Sequence, residues 1–297
     1  TVPKSLYVPG RCTAAGSKDD FAASDDNPEV DLLRVADAVM QPNGLQHEAL
    51  MQTLEEGTWL RDHMMERRKM MEKQRVQLLL LAGRAGSGKS TFVERLRKHV
   101  ATLEPPEGQP RVVLVFASLP SLRNPLGGLY KEAVSRQYGL NEREAEALHG
   151  LVRKGEVRLV FILDAYDELP PEAVGKNLFV SNNLQQYRSD EEAKTGDMSN
   201  PLVIISVRAE YLAMYKRYKL SVLPFEYSSS DKDDEGEATL FMLELRLAPY
   251  GPDSVAGFLW AYASCAAVKR YAAAFGGSGV LTPLASIEAP GGAPRAL

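Results

Sequence analysis

The sequence predicts an α/β fold: a three-layer sandwich with a mostly parallel five-stranded sheet, preceded by N-terminal helices. Three observations carry this expectation. Five short segments, 76–82, 111–119, 157–164, 202–207 and 239–247, are largely apolar, as strands covered on both faces must be. Helical patterns alternate with them at 90–103, 127–138, 142–154 and around 178–187. The first strand segment also runs directly into a glycine-rich turn that opens a helix.

Upstream of these elements, residues 1–29 are turn-rich, with breakers at Lys18-Asp19-Asp20 and Ser24-Asp25-Asp26-Asn27-Pro28. A short helix is expected over 30–40, a Pro42-Asn43-Gly44 turn after it, and a long helix over 46–75 that Gly57 divides. The basic run at 66–75 is interrupted by glutamates and methionines at helical spacing and reads as a solvated helix face. Segments 189–200 and 228–237 read as mobile loops, the latter an acidic, solvated insertion without the spaced ligands of a calcium loop. Residues 252–275 suit a helix rich in alanine and aromatics, and the Gly/Pro/Ala-rich tail is expected to be disordered. The expected organisation is an N-terminal helical segment 1–75, an α/β domain 76–250, the start of a helical region 251–275 and a low-complexity tail 276–297.

Composition limits the partners. Of 297 residues, 44% are hydrophobic and 25% charged, with a net charge of −4. That is ordinary for a globular chain and gives no electrostatic reason to expect nucleic acid. No apolar run approaches the roughly 18 residues that cross a bilayer, so no membrane contact is expected. Cys12 and Cys265 are far apart, and His47, His63, His99 and His149 lack ligand spacing. Neither a disulfide framework nor a zinc site is supported, and a cytoplasmic location is the default expectation.

The chemistry begins at Gly83-Arg84-Ala85-Gly86-Ser87-Gly88-Lys89-Ser90-Thr91, a G-x-x-x-x-G-K-[ST] loop between an apolar strand and a helix. Glycines let successive backbone N–H groups wrap a polyphosphate. In this reading Gly83, Ala85, Gly86, Ser87, Gly88, Lys89, Ser90 and Thr91 hold the nucleotide. Lys89 places a charge at the β/γ-phosphates, and the Ser90 hydroxyl is a Mg²⁺ ligand. The sandwich is thereby that of the P-loop NTPases, with ATP or GTP as ligand.

A second half follows from Val157-Arg158-Leu159-Val160-Phe161-Ile162-Leu163-Asp164, an apolar strand ending in a carboxylate. Ligands gather at the carboxyl ends of parallel strands, so Asp164 is expected to share the Mg²⁺ with Ser90. In Asp164-Ala165-Tyr166-Asp167-Glu168 the small residue lets the chain curl, returning Asp167 and Glu168 towards the metal and γ-phosphate to orient or deprotonate water. The other reading of Asp167 and Glu168 is a cap on the following helix. Arg208, just past the strand at 202–207, is placed either for phosphate or for a surface ion pair.

Together, D-[small]-x-D-E after an apolar strand and G-x-x-G-x-G-K-S-T upstream resemble the NACHT family of signal-transduction ATPases, over about 76–262. Val112-Val113-Leu114-Val115-Phe116-Ala117-Ser118-Leu119 resembles its second strand, and Ile204-Ile205-Ser206-Val207-Arg208 its fourth, which ends in a basic sensor. The resemblance implies ADP and ATP with Mg²⁺, adenine over guanine, slow hydrolysis, self-association through the NTPase domain, and Arg208 as sensor of the γ-phosphate. It names neither stimulus nor signalling partner. No winged-helix pattern and no repeat follows the domain, which departs from the family. Two alternatives stand beside the switch: a conventional AAA-like ATPase, and a truncated nucleotide-binding fragment without signalling output.

Overall fold

The computed structural model describes residues 11–14, 30–31, 77–101, 107–173, 175–194, 201–215, 218–223, 242–247, 250, 252, 255–260 and 262–263. The chain divides into two compact units, Gly10–Pro249 and a second made of Thr1–Pro9 with Tyr250–Leu297.

The first unit is built on a sheet whose strands are β1 (Arg11–Ala14), β2 (Val30–Asp31), β3 (Leu78–Gly83), β4 (Arg111–Ser118), β5 (Val157–Asp164), β6 (Leu202–Arg208) and β7 (Met242–Leu247). Their order is β2-β1-β7-β3-β6-β5-β4. The five strands from β7 to β4 are parallel, matching the five apolar segments of the sequence. Two short antiparallel strands extend them, because β1 pairs with β7 and β2 with β1. Val30 and Asp31, expected to open a helix, therefore lie in a strand. At two residues, β2 is too short to carry an alternation pattern. The helices expected over 32–75, the basic run at 66–75, the acidic loop and the tail lie outside the described residues.

The parallel strands are apolar because both faces are covered. Leu78, Leu80 and Ala82 of β3 point into one core with Val115, Phe161, Leu163, Val203, Ile205 and Val207. That face is covered by α2 (Leu129–Tyr138), α3 (Glu142–Arg153), α4 (Leu178–Ser181), α6 (Ala209–Met214) and α7 (Tyr218–Val222). Tyr130, Phe161 and Tyr187 form its aromatic centre, with Tyr130 and Tyr187 ring centroids 4.3 Å apart, and the half-buried His149 packs on Tyr187 from outside. Burial pushes the Tyr187 hydroxyl pKa up to about 12. Leu79 and Leu81 alternate to the opposite face, which α1 (Lys89–Val100) covers with Phe92, Val93, Leu96 and Val100. At about 1.5–3 kcal/mol for each fully buried aliphatic side chain, these strands dominate the stability of the unit.

Local sequence sets the ends of the helices. Asn141 accepts from the Glu144 backbone and the Glu144 side chain returns to the Asn141 N–H, a capping box on α3. Asn177 caps α4 by accepting from Phe179 and Val180. Residues Asp190–Lys194, expected to be loop, form a short helix α5, whose Asp190 pairs with Arg153 of α3 at 3.2 Å. Glu132 of α2 accepts from the backbone N–H groups of Arg123 and Asn124, both at 2.9 Å, shaping the loop after β4. The buried Asn182 side chain donates to Pro125 and Leu178 and accepts from Leu129, tying that loop to α4. At the end of the described sheet, the outward backbone of β4 is met by α2. Gln137 accepts from Phe116 N at 2.6 Å and donates to Leu114 O at 3.1 Å, and the Tyr138 hydroxyl also donates to Leu114 O.

In the second unit, residues 255–260 and 262–263 are helical and Phe258 stacks on Tyr262. No described helix is long and apolar enough to cross a membrane.

Candidate nucleotide site

Every parallel strand runs the same way, so the carboxyl ends of β3, β5 and β6 open onto one edge of the sheet, where α/β folds collect ligands. Register decides who meets there. Gly83 pairs with Arg208, and Leu81 with Ser206. Leu163 pairs with Ile205, which sets Asp164 beside Ser206. The acid-bearing strand is thus not adjacent to the loop-bearing one. β6 lies between them, a separation of about 10 Å at the usual strand spacing.

The loop after β3 has the backbone that its glycines permit. Gly86 and Gly88 lie at φ 76° and 90°, the left-handed region that side chains disfavour. A Cβ on Gly83 would stand 2.5 Å from the Ser87 hydroxyl and 3.2 Å from Leu247 Cβ, so a larger residue there obliges the Ser87 side chain to move. The Ser87 Oγ is itself buried without a partner among the described residues. Gly88 is the N-cap of α1, whose first turn carries no acidic side chain. The positive end of that helix dipole therefore faces the loop uncompensated. Lys89 folds back, its Nζ donating to the carbonyls of Gly83 at 2.6 Å and Arg84 at 2.9 Å. Burial lowers the Lys89 pKa, an effect opposed by the charges of Asp167, Glu210 and Asp164 and reinforced by Arg208.

On the other side of β6, the Asp164 carboxylate accepts from the Ser206 hydroxyl, and that hydroxyl accepts from the Ala165 N–H at 3.0 Å. Ala165 then turns the chain at φ 62°, ψ 54°. A short 3₁₀ turn, Tyr166–Glu168, carries the next two acids back towards β6. Asp167 accepts from the Arg208 N–H at 2.9 Å and pairs with Arg208 Nε at 2.9 Å. Glu168 pairs with Arg208 at 2.6 Å. The Asp167 side chain is 7% exposed and that of Arg208 48%, so the acid is fixed and the guanidinium faces solvent. Tyr166 is buried against Tyr211 in an edge-on contact of 5.9 Å, which anchors the turn.

The residues expected at the site are thus gathered at one edge. Gly83 to Thr91 lie at the mouth of β3, Asp164 at the end of β5, and Asp167, Glu168 and Arg208 in one ion-pair cluster. The donor set fits a nucleotide-linked Mg²⁺. Such an ion takes one or two protein oxygens and completes its shell with phosphate and water. Here the Ser90 hydroxyl and the second Asp164 oxygen have no hydrogen-bond partner among the described residues, and no cluster of three His, Cys, Asp or Glu competes with them there. Sequence reasoning passed over two residues. Ser206 is signalled only by being the polar member of an apolar strand. Glu210 is signalled by its place in the first turn of α6, where its charge opposes the lowering of the Lys89 pKa by burial.

Comparison with known proteins places this edge in context. The NACHT domain model matches residues 77–189, from the start of β3 to the segment before α5. No curated protein matches the sequence. Among solved structures, the chain is similar to Cdc6p from Pyrobaculum aerophilum, with 18% identity, 69% of this chain and 49% of that chain covered, and a TM-score of 0.38. It is also similar to the ORC2 protein of Aeropyrum pernix in ADPNP and ADP complexes, with 15% identity, 69% and 50% coverage and a TM-score of 0.33. A third is Drosophila ORC bound to DNA, with 16% identity, 84% and 54% coverage and a TM-score of 0.34. The chain spans about half the length of each of these structures.

Proposed function

We propose, from the match of residues 77–189 to the NACHT domain model, that the chain is a NACHT-type P-loop NTPase acting as an ATP/ADP-dependent regulatory switch with slow Mg²⁺-dependent hydrolysis and nucleotide-controlled self-association. One observation carries the reading: Arg208 is held by both Asp167 and Glu168, beside a Lys89 that lies on loop carbonyls. Both cations have partners that a triphosphate displaces.

A nucleotide shifts a two-state equilibrium only through contacts that differ between the states. The γ-phosphate supplies that difference. It competes for the half-exposed Arg208 guanidinium, and charge-assisted hydrogen bonds of about 1.5–3 kcal/mol each amount to a ten- to hundredfold bias. ADP lacks the group and leaves Arg208 on its two acids. Lys89 moves from the Gly83 and Arg84 carbonyls to the β- and γ-oxygens. Ser90 and Asp164 would hold Mg²⁺, which would neutralise charge on the phosphates. Once Arg208 turns to the phosphate, Asp167 and Glu168 are free to orient an attacking water and take its proton.

The test is the mass of the purified chain by light scattering in ADP and in ATP, with turnover measured on the same samples. A larger species in ATP, with turnover well below about one per second, is expected. An unchanged mass with turnover at or above that rate would replace the switch by a work-performing ATPase.

A further inference from the structure

We propose that Ser206 is a positioning residue that aims the Asp164 carboxylate at the Mg²⁺ of a bound nucleotide; this rests on the nucleotide-site reading above. Ser206 interrupts the apolar run of β6 and is 1% exposed. A hydroxyl placed there without partners would be costly, and it has two. The Ala165 N–H can only donate, and donates to Oγ at 3.0 Å. The hydroxyl proton must therefore point elsewhere, and it meets Asp164 Oδ1. An ionised carboxylate can only accept, so the direction of both bonds is settled by the chemistry of the groups.

The consequence is a fixed division of labour between the two oxygens of Asp164. Oδ1 is taken from the β6 side by a donor that solvent cannot replace. Oδ2 keeps its lone pairs for the cation. Because Ser206 also receives the Ala165 N–H, the same hydroxyl fixes the peptide at which the chain swings from Asp164 to Asp167 and Glu168. Register places Ser206 between Leu81 of β3 and the end of β5, so this side chain ties the strand that separates the loop from the acids to the acid-bearing strand. Neither the loop motif nor the acidic motif contains it. Groups that orient a metal ligand from behind are commonly worth ten- to hundredfold in metal affinity.

The experiment measures ATP affinity of the whole chain by calorimetry, in Mg²⁺ and in EDTA, for wild type, Ser206→Ala, Ser206→Cys, Ser206→Thr and Asp164→Asn. Thermal melting of each variant is recorded alongside. The Mg²⁺ gain, the ratio of the two affinities, should fall about ten- to hundredfold in Ser206→Ala and Ser206→Cys. Affinity in EDTA should stay within about threefold, since only the metal-linked part is lost. Ser206→Thr keeps the hydroxyl and should restore the gain. A folded Ser206→Ala with the wild-type gain, or one that loses affinity equally in EDTA, overturns the proposal. So does failure of both hydroxyl-free variants to fold, which would make Ser206 a structural residue. Asp164→Asn separates the two levels: if it keeps the gain, the metal reading of the site falls, whereas loss there with retention in Ser206→Ala removes only the role of Ser206.

Discussion

Replacing Ala165 by glycine should make the protein more stable. Ala165 holds φ 62°, ψ 54°, where an L-residue incurs about 1–2 kcal/mol from its Cβ. Glycine removes that term, and offsets part of the gain by about 0.5–1 kcal/mol because its unfolded chain is freer. The net expectation is a stabilisation of about 0.5–1 kcal/mol, or about 1–4 °C in melting temperature for a unit of this size. The Ala165 N–H to Ser206 bond is a backbone contact and survives the change. The opposite perturbation, Ala165→Val, puts a branched Cβ into the same left-handed geometry and should cost more than about 1 kcal/mol. Urea unfolding of the three proteins at one pH gives the comparison. A glycine variant less stable than wild type, with valine tolerated, would refute the left-handed turn and the acid placement that depends on it.

Lys89→Ala should abolish ATP binding, and unchanged affinity by calorimetry would remove the loop assignment. Burial already lowers the Lys89 pKa below its ordinary 10.5, and arriving phosphate charge raises it again. Wild-type affinity should therefore be full below the lowered pKa and fall as pH rises through it; affinity that stays flat up to pH 10.5 contradicts this. In Asp167→Asn the Arg208 backbone bond remains possible while the ion pair at 2.9 Å is lost. Single-turnover hydrolysis should slow by about 10²-fold or more with ATP affinity retained, and a normal rate would exclude Asp167 from water activation. Asn182→Ala strands the Leu129 N–H and the Pro125 carbonyl, while the Leu178 carbonyl keeps the backbone N–H of residue 182. It should destabilise the chain by about 1–3 kcal/mol, and a urea midpoint equal to wild type would show that the loop after β4 does not need it.

The parallel core was readable because burial on both faces leaves an almost uninterrupted apolar string, and Leu78 to Leu81 offer no competing interpretation. The phosphate loop was readable because its geometry demands glycine at fixed positions. Asp164 and Arg208 are legible from their positions at strand ends, and Asp167 and Glu168 from the curl that a small residue at 165 permits. What the sequence could not reveal was pairing across the sheet. Nothing in Ile204-Ile205-Ser206 says that β6 inserts between β3 and β5, and only that insertion turns a lone serine into a partner of Asp164. Likewise the sequence leaves Arg208 between phosphate and an ion pair, and the structure adds that its ion-pair partners are the two acids that follow Asp164. β1 and β2 leave no signal in the sequence because strands of four and two residues have no period to detect; β1 adds to the β7 edge and β2 to β1.

The plugging of β4 by Gln137 and Tyr138 bears on how copies of this chain can associate. A bare outer strand invites another chain to continue the sheet, an association that grows without limit and reverses slowly. With Phe116 N and Leu114 O already engaged by side chains from α2, polymerisation by sheet extension is closed on that side. On that side, the self-association proposed above is left to side-chain surfaces.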